Sequence, residues 1–526
     1  MCGAARFVFI RVNSRSFFCV NFAELAKIQS PLDTRPRIWH PALIPNPMKP
    51  STLLFALFVL PSPAIAEITP ASFDLPAIRD ASTLETSVIQ DWQPVPKLPG
   101  VKQKLVEITI CEWWSGQKVR LPVTFCVPDV PGPCTQVILG NMGLALKPAL
   151  PTGTMLRLLT ERGVGVVLIG MSTIDAMKPE GTLHLGMKEQ LLKTKDARFT
   201  PAWIWGMSDM RALTAAMVEA EFQPEKVIAT GGSKRGVGAA ICGIHDDRFT
   251  GIFPVVAPIL GNPGGAYVRG SALLEESAQN AAFLQNLPAE LPATARAALE
   301  DRDQNRANQS ITKDEAVAAA WSDEEITRMN DEAWNACRIT LHLDEVRSRG
   351  LEFFYQVGSN DNVCPAIRIL GGLHPSFPVF IQPGGQHGGP KTSGFTMPTP
   401  SQPEAEENFF AFCLHHFFGE RGLPESPRLE SRFTDGKLHV TVTFAAGVET
   451  TTNTLSLSVD RQAPYTFATE YDHWESTPLT AVGGGVFTSE IPVPGTVHGI
   501  DFISTHVHVE NLIPFHVSSP YGQWKR

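Results

Sequence analysis

Short apolar strands alternate with helical segments through the middle of this 526-residue chain, and this alternation constrains the fold more than any other feature. Four runs have the length and composition of buried strands: 137–139, 164–169, 226–230 and 252–256. Between them lie segments such as 208–217, whose apolar residues recur at helical spacing. Strands that are apolar on both faces and separated by helices form a parallel sheet covered on both sides. The sequence therefore predicts an α/β fold.

Further strands enlarge this predicted sheet. Residues 105–128 predict two strands around a Ser115-Gly116 turn. The sheet pattern resumes at 351–357 and again at 379–382, after a long interruption.

The interruption and the C-terminal part define the expected domains. Residues 257–350 are mostly helical in pattern, so we expect a helical insertion, which is either a lid over a site or a structural layer. The α/β unit is expected over 67–424, and short alternating strands predict a small β-sandwich-like domain over 425–526. Two capping boxes support the inserted helices: Thr312 with Glu315, and Ser322 with Glu325.

The N-terminal part has the features of an exported protein. Residues 48–66 combine a basic start, an apolar run at 53–60 and small residues before Glu67, which is the pattern of a secretory signal peptide. A hydrophobic strand or an anchor helix is the alternative. Residues 1–47 show no helix or strand period and are interpreted as an upstream extension. The alternative is a mis-assigned translation start, with the true start at Met48. A secreted or periplasmic location follows, and no later run predicts a transmembrane segment.

Charge and cysteine usage limit the partners. The formal net charge is −9 and basic residues are not clustered, so a nucleic-acid partner is not expected. Seven of the nine cysteines follow the signal segment, an odd number, and a disulfide that involves Cys364 is left open. No zinc-ligand spacing is present, so neither a metal nor a cofactor is expected. His506 and His508 share a strand face and are a structural pair or, less favoured, metal ligands.

A glycine-rich turn suggests a nucleophile. The sequence Gly231-Gly232-Ser233-Lys234-Arg235-Gly236 directly follows a buried strand and precedes a helical pattern. A serine on such a sharp strand-to-helix turn exposes its hydroxyl above the sheet, and small neighbours relieve the crowding. Arg235 stands where a small residue is usual. The alternative is a phosphate-binding or plain turn.

Two later segments complete a catalytic pattern. Asp361 follows the strand after the insertion, and His387 lies in the glycine-rich loop after the last sheet strand. The order Ser233, Asp361, His387 is that of the α/β hydrolases. We therefore expect an α/β-hydrolase parallel sheet with a helical insertion, plus the β-sandwich-like domain. The serine would attack a carbonyl, the histidine would transfer the proton, and the aspartate would orient the imidazole.

Other residues are candidates for the oxyanion hole and for substrate binding. The backbone N–H of Lys234 is one expected oxyanion donor, and the loop containing Asn141 and Met142 is expected to supply the other, unless that loop is a simple turn. Arg235 is a candidate for binding an acidic substrate group, with a buried ion pair as the alternative. Trp205 is a candidate for lining the substrate cleft, with core packing as the alternative.

The segments ATGGSKRG at 229–236, HDDRFTGIFPVV at 245–256, WGMSDMRALTAA at 205–216 and LEFFYQVGSNDNV at 351–363 resemble the PhoPQ-activated pathogenicity-related protein family. The resemblance extends from about 180 to 400. It implies the α/β-hydrolase superfamily, a triad carried by Ser233, Asp361 and His387, an exported protein and a β-rich C-terminal part. It departs at Val237, where a tryptophan is expected, and it implies no substrate.

Three functions remain after this comparison. The first is a secreted serine hydrolase that cleaves a small carboxylic ester, such as a carbohydrate ester, through an acyl-enzyme. The second is a serine exopeptidase. The third is a non-catalytic exported binding protein on a hydrolase scaffold, which the presence of all three triad residues disfavours. The sequence leaves the oligomeric state open.

Overall fold

The computed structural model describes residues 7–13, 16–21, 73–96, 98–141, 147–171, 182–260, 268–269, 311–361, 363–364, 366–370, 378–387, 403–461 and 473–526. The expected signal peptide at 48–66, Met142 and residues 261–267 and 270–310 of the insertion lie outside these residues. Within the upstream extension, strands β1 (Phe7–Asn13) and β2 (Ser16–Asn21) pair antiparallel. The expectation that 1–47 lacks a strand was therefore wrong, because aromatic and β-branched residues, which favour strands, are frequent in both segments.

A large mixed sheet forms the centre of the molecule. Its first seven strands are β3 (Ser87–Pro94), β4 (Val101–Trp114), β5 (Gln117–Pro128), β6 (Cys134–Asn141), β7 (Gly165–Ile169), β8 (Phe222–Gly232) and β9 (Gly251–Val255). Strands β10 (Val268–Arg269) and β11 (Ile311–Thr312) form a separate small parallel pair. The last three strands of the large sheet are β12 (Glu352–Phe353), β13 (Tyr355–Gly358) and β14 (Val379–Gln382). In space the order is β14-β13-β9-β8-β6-β7-β5-β4-β3, with β12 beside β9.

The sheet is parallel from β14 to β7, and the last three strands, β5, β4 and β3, join it antiparallel. The expected hairpin is confirmed, since β4 and β5 pair around the Ser115-Gly116 turn. Strand β7 lies between β5 and β6, which is the crossover of the α/β-hydrolase fold. The chain has this fold, with additional C-terminal sheets.

Helices cover both faces of the sheet. They are α1 (Leu75–Arg79), α2 (Gly153–Arg162), α3 (Thr182–Thr194), α4 (Pro201–Met217), α5 (Lys234–His245), α6 (Lys313–Ala318), α7 (Asp323–Asn335), α8 (Leu343–Ser348), α9 (Ala366–Leu370) and α10 (Pro403–Cys413), with a π-helical turn at Leu414–Phe418 and 3₁₀ turns at Ala81–Thr83, Ala197–Phe199 and Ile339–Leu341. Among the described residues, no helix combines the length and the apolar character needed to cross a bilayer.

The alternation along the strands explains the two layers. In β6, Val137 and Leu139 are buried in the cluster that contains α4 and α5, whereas Ile138 is buried in the cluster that contains α2 and α10. Strand β8 repeats this pattern at Val227 and Ile228. Successive side chains of a strand point to opposite faces of the sheet. The fully apolar runs identified in the sequence are therefore the strands that helices cover on both faces.

The described part of the insertion packs beside the sheet. Both predicted capping boxes are present at the N-termini of α6 and α7. The indole of Trp321 donates to the Leu192 carbonyl on α3 at 2.9 Å, and the His245 ring lies 2.9 Å from the Ala336 carbonyl. His245 ends α5, at the opposite end of that helix from Ser233. A covering role for the remainder of the insertion stays a prediction.

Two antiparallel sheets form what we call the C-terminal β unit, residues 428–461 and 473–526. One contains β15 (Arg428–Thr434), β16 (Lys437–Thr443), β20 (Val486–Pro492) and β19 (Thr480–Gly483); the other contains β18 (Glu475–Pro478), β17 (Thr452–Val459), β21 (Gly499–Glu510), β22 (Ile513–Ser518) and β23 (Gly522–Lys525). Both bury side chains in one cluster, as a β-sandwich does. The domain boundary at 424 stays a prediction.

The β unit also covers the edge of the central sheet. Strand β14 is the edge strand, and its backbone N–H groups at Val379 and Ile381 donate to the hydroxyls of Ser426, at 3.3 Å, and Ser518, at 2.9 Å. Side-chain hydroxyls thus satisfy backbone donors that a further strand would otherwise take.

Candidate active site

The nucleophile candidate lies on a strained turn. Strand β8 ends at Gly232 and helix α5 begins at Lys234, which leaves Ser233 between them with φ 57° and ψ −129°. Its backbone N–H donates to the Val255 carbonyl on β9 at 2.9 Å, and its own carbonyl accepts from Val237 at 3.1 Å. A positive φ at a non-glycine residue costs on the order of 1–3 kcal/mol and persists only where the surroundings enforce it. The turn therefore presents the hydroxyl above the sheet at an energetic cost.

The glycines beside the serine explain the unusual spacing of the motif. A Cβ atom on Gly231 would lie 2.7 Å from the Arg235 Cβ, and one on Gly236 would lie 2.7 Å from the Ala257 Cβ. Both distances are shorter than any van der Waals contact. Because Gly231 has no side chain, the turn has room for the Cβ of Arg235, so a large residue is tolerated where a small one was expected. Gly236 then serves a different contact, with the chain after β9.

Three side chains meet at the carboxyl ends of strands β8, β13 and β14. The Oγ of Ser233 lies 2.9 Å from Nε2 of His387. Nδ1 of the same ring lies 3.0 Å from both carboxylate oxygens of Asp361. Serine and histidine are partly buried, and the Asp361 side chain has no exposed surface. A hydroxyl, an imidazole and a buried carboxylate in this order form a chain for proton transfer.

The aspartate has a second partner that holds it in place. The backbone N–H of Val363 donates to Asp361 Oδ1 at 2.8 Å, and the Asp361 N–H donates to the Gly358 carbonyl at 3.2 Å. The carboxylate is therefore fixed by its own loop on one side and by the imidazole on the other. Its acceptor character requires that His387 donate from Nδ1, which leaves Nε2 as an acceptor toward the serine.

The loops that carry the acid and the histidine touch backbone to backbone. A Cβ atom on Gly358 would lie only 2.2 Å from the Gly385 carbonyl oxygen. The Asn360 N–H donates to that same carbonyl at 2.8 Å. Sequence reasoning missed the role of Gly358, although a glycine at the end of a strand is a signal of close backbone approach.

One of the two expected oxyanion donors lies at the N-terminus of a helix. Lys234 is the first residue of α5, and the first N–H groups of a helix have no intrahelical acceptor. Asn141 ends β6, the parallel neighbour of β8, so it lies at the same sheet edge as Ser233. Met142 lies outside the described residues. The second donor from this loop stays a prediction.

No family model and no curated protein matches the chain. Similar solved structures include an acetyl xylan esterase from Paenibacillus sp. R4, at 14% identity over 64% of this chain and 92% of that chain with a TM-score of 0.38. A glucuronoyl esterase from Solibacter usitatus is 13% identical over 60% of this chain and 87% of that chain, with a TM-score of 0.34. Acetyl xylan esterase 1 from Thermoanaerobacterium sp. JW/SL YS485 is 13% identical over 59% of this chain and 86% of that chain, with a TM-score of 0.33. Likenesses this weak carry no argument about function, which rests on the site. The similarity to the PhoPQ-activated family remains one of short motifs.

The structure surrounds Arg235 and Trp205 with protein groups. Burial lowers the pKa of the Arg235 guanidinium, and the buried carboxylate of Asp209 opposes that shift. This attraction supports the ion-pair alternative for Arg235. Trp205 is partly buried and packs against the apolar cluster, and its carbonyl lies against α5 near Gly238. Substrate binding by either residue stays a prediction.

Lys234 is a cation beside the nucleophile. Its ammonium pKa is lowered, first by burial and then by the neighbouring Arg235 guanidinium. Lys234 thus adds a partly buried positive charge next to Ser233 in the chain, whereas the charge of Arg235 is opposed by Asp209.

Cysteine and metal chemistry at the site involve one further residue. Cys364 is buried, and its sulfur, a carboxylate oxygen of Asp361 and a ring nitrogen of His387 all lie within 4.8 Å of one another. The latter two already bind each other, so the arrangement is first a hydrogen-bonded pair. All seven cysteines from Cys111 to Cys413 are free thiols in the described structure, so the disulfide left open for Cys364 is not formed there.

His506 is fully buried between Asn453 and Ser504, which agrees with the structural alternative for that histidine.

Proposed function

We propose that this chain is an exported serine hydrolase that cleaves a carboxylic ester through an acyl-enzyme. The observation that carries the proposal is the alignment of Ser233 Oγ, the two ring nitrogens of His387 and the Asp361 carboxylate at 2.9 Å and 3.0 Å. The strained backbone at Ser233 supports it, because such strain concentrates at functional sites. Export is proposed from the signal pattern at 48–66 alone.

The proposed mechanism follows from the donors and acceptors at the site. His387 Nε2 accepts the hydroxyl proton as Ser233 Oγ bonds to the substrate carbonyl carbon. The carbonyl oxygen becomes an oxyanion beside the Lys234 N–H, at the N-terminus of α5, where the helix dipole also favours negative charge. The imidazolium is stabilised by Asp361 and returns the proton to the leaving alcohol. Water then repeats the sequence on the acyl-enzyme and frees the serine.

We propose a small ester, such as a carbohydrate ester, as the substrate class. The positive charge of Lys234 beside the turn would suit a substrate with a carboxylate near the ester bond. A peptide substrate is the competing enzymatic choice, because the same three residues serve peptidases as well.

One experiment separates the proposals. Purified protein is treated with a fluorophosphonate and then assayed with a panel of acyl esters and aminoacyl amides. We expect stoichiometric labelling at Ser233, none in Ser233→Ala, and turnover of esters but not of amides. Preferred amide cleavage would identify an exopeptidase. Absence of both labelling and turnover would favour a binding protein on a hydrolase scaffold.

A further inference from the structure

Asn360, the residue before Asp361, receives hydrogen bonds from two side chains of the C-terminal β unit. Its amide oxygen Oδ1 accepts from the Trp474 indole at 2.8 Å and from Arg461 Nη2 at 3.0 Å. The hydroxyl of Ser359 adds a third donor at 3.3 Å. Asn360 is 2% exposed and the Arg461 side chain is 0% exposed. Water therefore cannot readily replace these bonds, and losing one would leave a buried polar group unpaired.

Arg461 is itself held on several sides. Besides Asn360, Nη2 donates to the Ser359 carbonyl at 3.1 Å, and Nη1 donates to the Tyr521 hydroxyl. Its guanidinium carbon lies 5.2 Å from the centre of the Trp474 ring, within cation–π distance. A planar fork with this many fixed partners has little rotational freedom. Arg461 therefore transmits the position of the β unit to the loop before the catalytic aspartate.

A second connection reaches the other side of the acid loop. Asp501 on β21 accepts from the Tyr521 hydroxyl at 2.7 Å and pairs with Nε of Arg368 at 2.6 Å. Arg368 lies on α9, which follows Asp361 in the chain. The segments before and after the aspartate are thus both attached to one buried network in the β unit.

Trp474 also contacts the histidine loop. A Cβ atom on Gly384 would lie 3.7 Å from Cδ1 of Trp474, an ordinary packing distance. The Gly384 N–H donates to the Ser359 hydroxyl at 2.8 Å, which links the histidine loop to the acid loop. One indole therefore borders the loops of both His387 and Asp361.

We propose that Arg461 and Trp474 are positioning residues of the active site: they hold Asn360, and through it place the Asp361 carboxylate where it orients His387. The inference rests on the proposed function. Neither residue is among those that touch the reacting atoms, so their contribution is to the placement of the proton-transfer chain and not to substrate binding. Misplacing a catalytic group by about 1 Å can cost about 10²-fold in rate.

The test compares kinetics of purified full-length variants, normalised to active sites titrated with a fluorophosphonate. Arg461→Met keeps the bulk of the side chain and removes its donors, and we expect kcat to fall about 10- to 100-fold with KM changed less than about twofold. Arg461→Lys should recover part of the loss, because one ammonium can still donate to Asn360 Oδ1. Trp474→Phe removes the indole donor and should lower kcat by a smaller factor. This variant tests the positioning role on its own if Arg461→Met fails to fold.

Arg421→Met is the matched control. Arg421 is also buried, and it also contacts the β unit. Its Nη1 donates to the Ile513 carbonyl at 2.9 Å, and its guanidinium carbon lies 5.8 Å from the centre of the Phe515 ring. We expect this variant to lose thermal stability and to keep kcat per titrated site. Unchanged kcat per site in both Arg461→Met and Trp474→Phe would overturn the positioning role, as would an equal kcat loss in Arg421→Met. If Ser233→Ala keeps its activity, the proposed function itself is wrong.

Discussion

At the scale of single residues, Ser233 depends on its two partners for reactivity. A serine hydroxyl is a weak nucleophile until a base accepts its proton, and His387 accepts it only in the tautomer that Asp361 imposes. We expect Ser233→Ala to lose about 10⁴-fold or more of ester turnover, and Asp361→Asn to be similarly impaired while still folded. Steady-state assays with circular dichroism of each variant measure this. Near-normal turnover in Ser233→Ala would contradict the triad.

His506 supplies a residue-scale prediction about acid stability. Burial lowers its pKa from 6.5 to about 3, so the folded protein keeps this ring neutral at pH values where the unfolded chain protonates it. The contribution to stability is complete above about pH 6.5 and is lost as the pH falls toward 3. From pH 7 to pH 4 this costs roughly 3 kcal/mol of unfolding free energy.

The measurement is urea unfolding of wild type and His506→Gln at both pH values. Glutamine does not titrate, so the loss between pH 7 and pH 4 should be smaller in the variant by about that amount, while the other titrating groups cancel between the two proteins. Equal losses in both proteins would contradict the prediction.

At the scale of elements, the ends of β13 and β14 determine how the loop of Asp361 meets the loop of His387. Because a Cβ atom at Gly358 would overlap the Gly385 carbonyl, Gly358→Ala must push the histidine loop away from the acid loop. We expect a loss of about 1–3 kcal/mol in unfolding free energy and about 10²-fold in kcat. Gly495→Ala is the control, since no atom lies within 4 Å of its Cβ position. Wild-type kinetics in Gly358→Ala would show that the loops do not need this contact.

The elements also show what the sequence could and could not predict. Buried strands and their order along the chain were readable, because a strand covered on both faces is apolar throughout, as β6 and β8 are. Ser233, Asp361 and His387 could be predicted to lie together because each is in the turn or loop after such a strand, and the structure brings their side chains within hydrogen-bond distance. The bonds from Arg461 to Asn360 could not, since 101 residues separate the partners and neither has a local pattern that marks it. The sequence also did not explain why the turn accepts a large residue at Arg235, because the explanation is a close approach to Gly231 that only the three-dimensional structure shows.

At the scale of the whole molecule, Asn408 joins the central sheet to the β unit. It is fully buried on α10, where its amide donates to the His516 carbonyl at 3.1 Å and to Gln356 Oε1 at 3.3 Å, and its Oδ1 accepts from the His516 N–H at 2.6 Å. We expect the two parts to unfold in one transition, with equal calorimetric and van't Hoff enthalpies. Asn408→Ala should lower that single Tm by several degrees. Two separate transitions in the wild type would contradict the coupling.

The hydroxyls of Ser426 and Ser518 on strand β14 have a consequence for assembly. An open edge strand is a template on which a second molecule can add its own strand, and many sheets grow across a dimer interface or aggregate in this way. Here the donors at Val379 and Ile381 are already occupied from within the same chain. A second molecule that added a strand along β14 would have to displace these two hydroxyls first, so growth of the central sheet across this border, on the side that bears His387, is disfavoured.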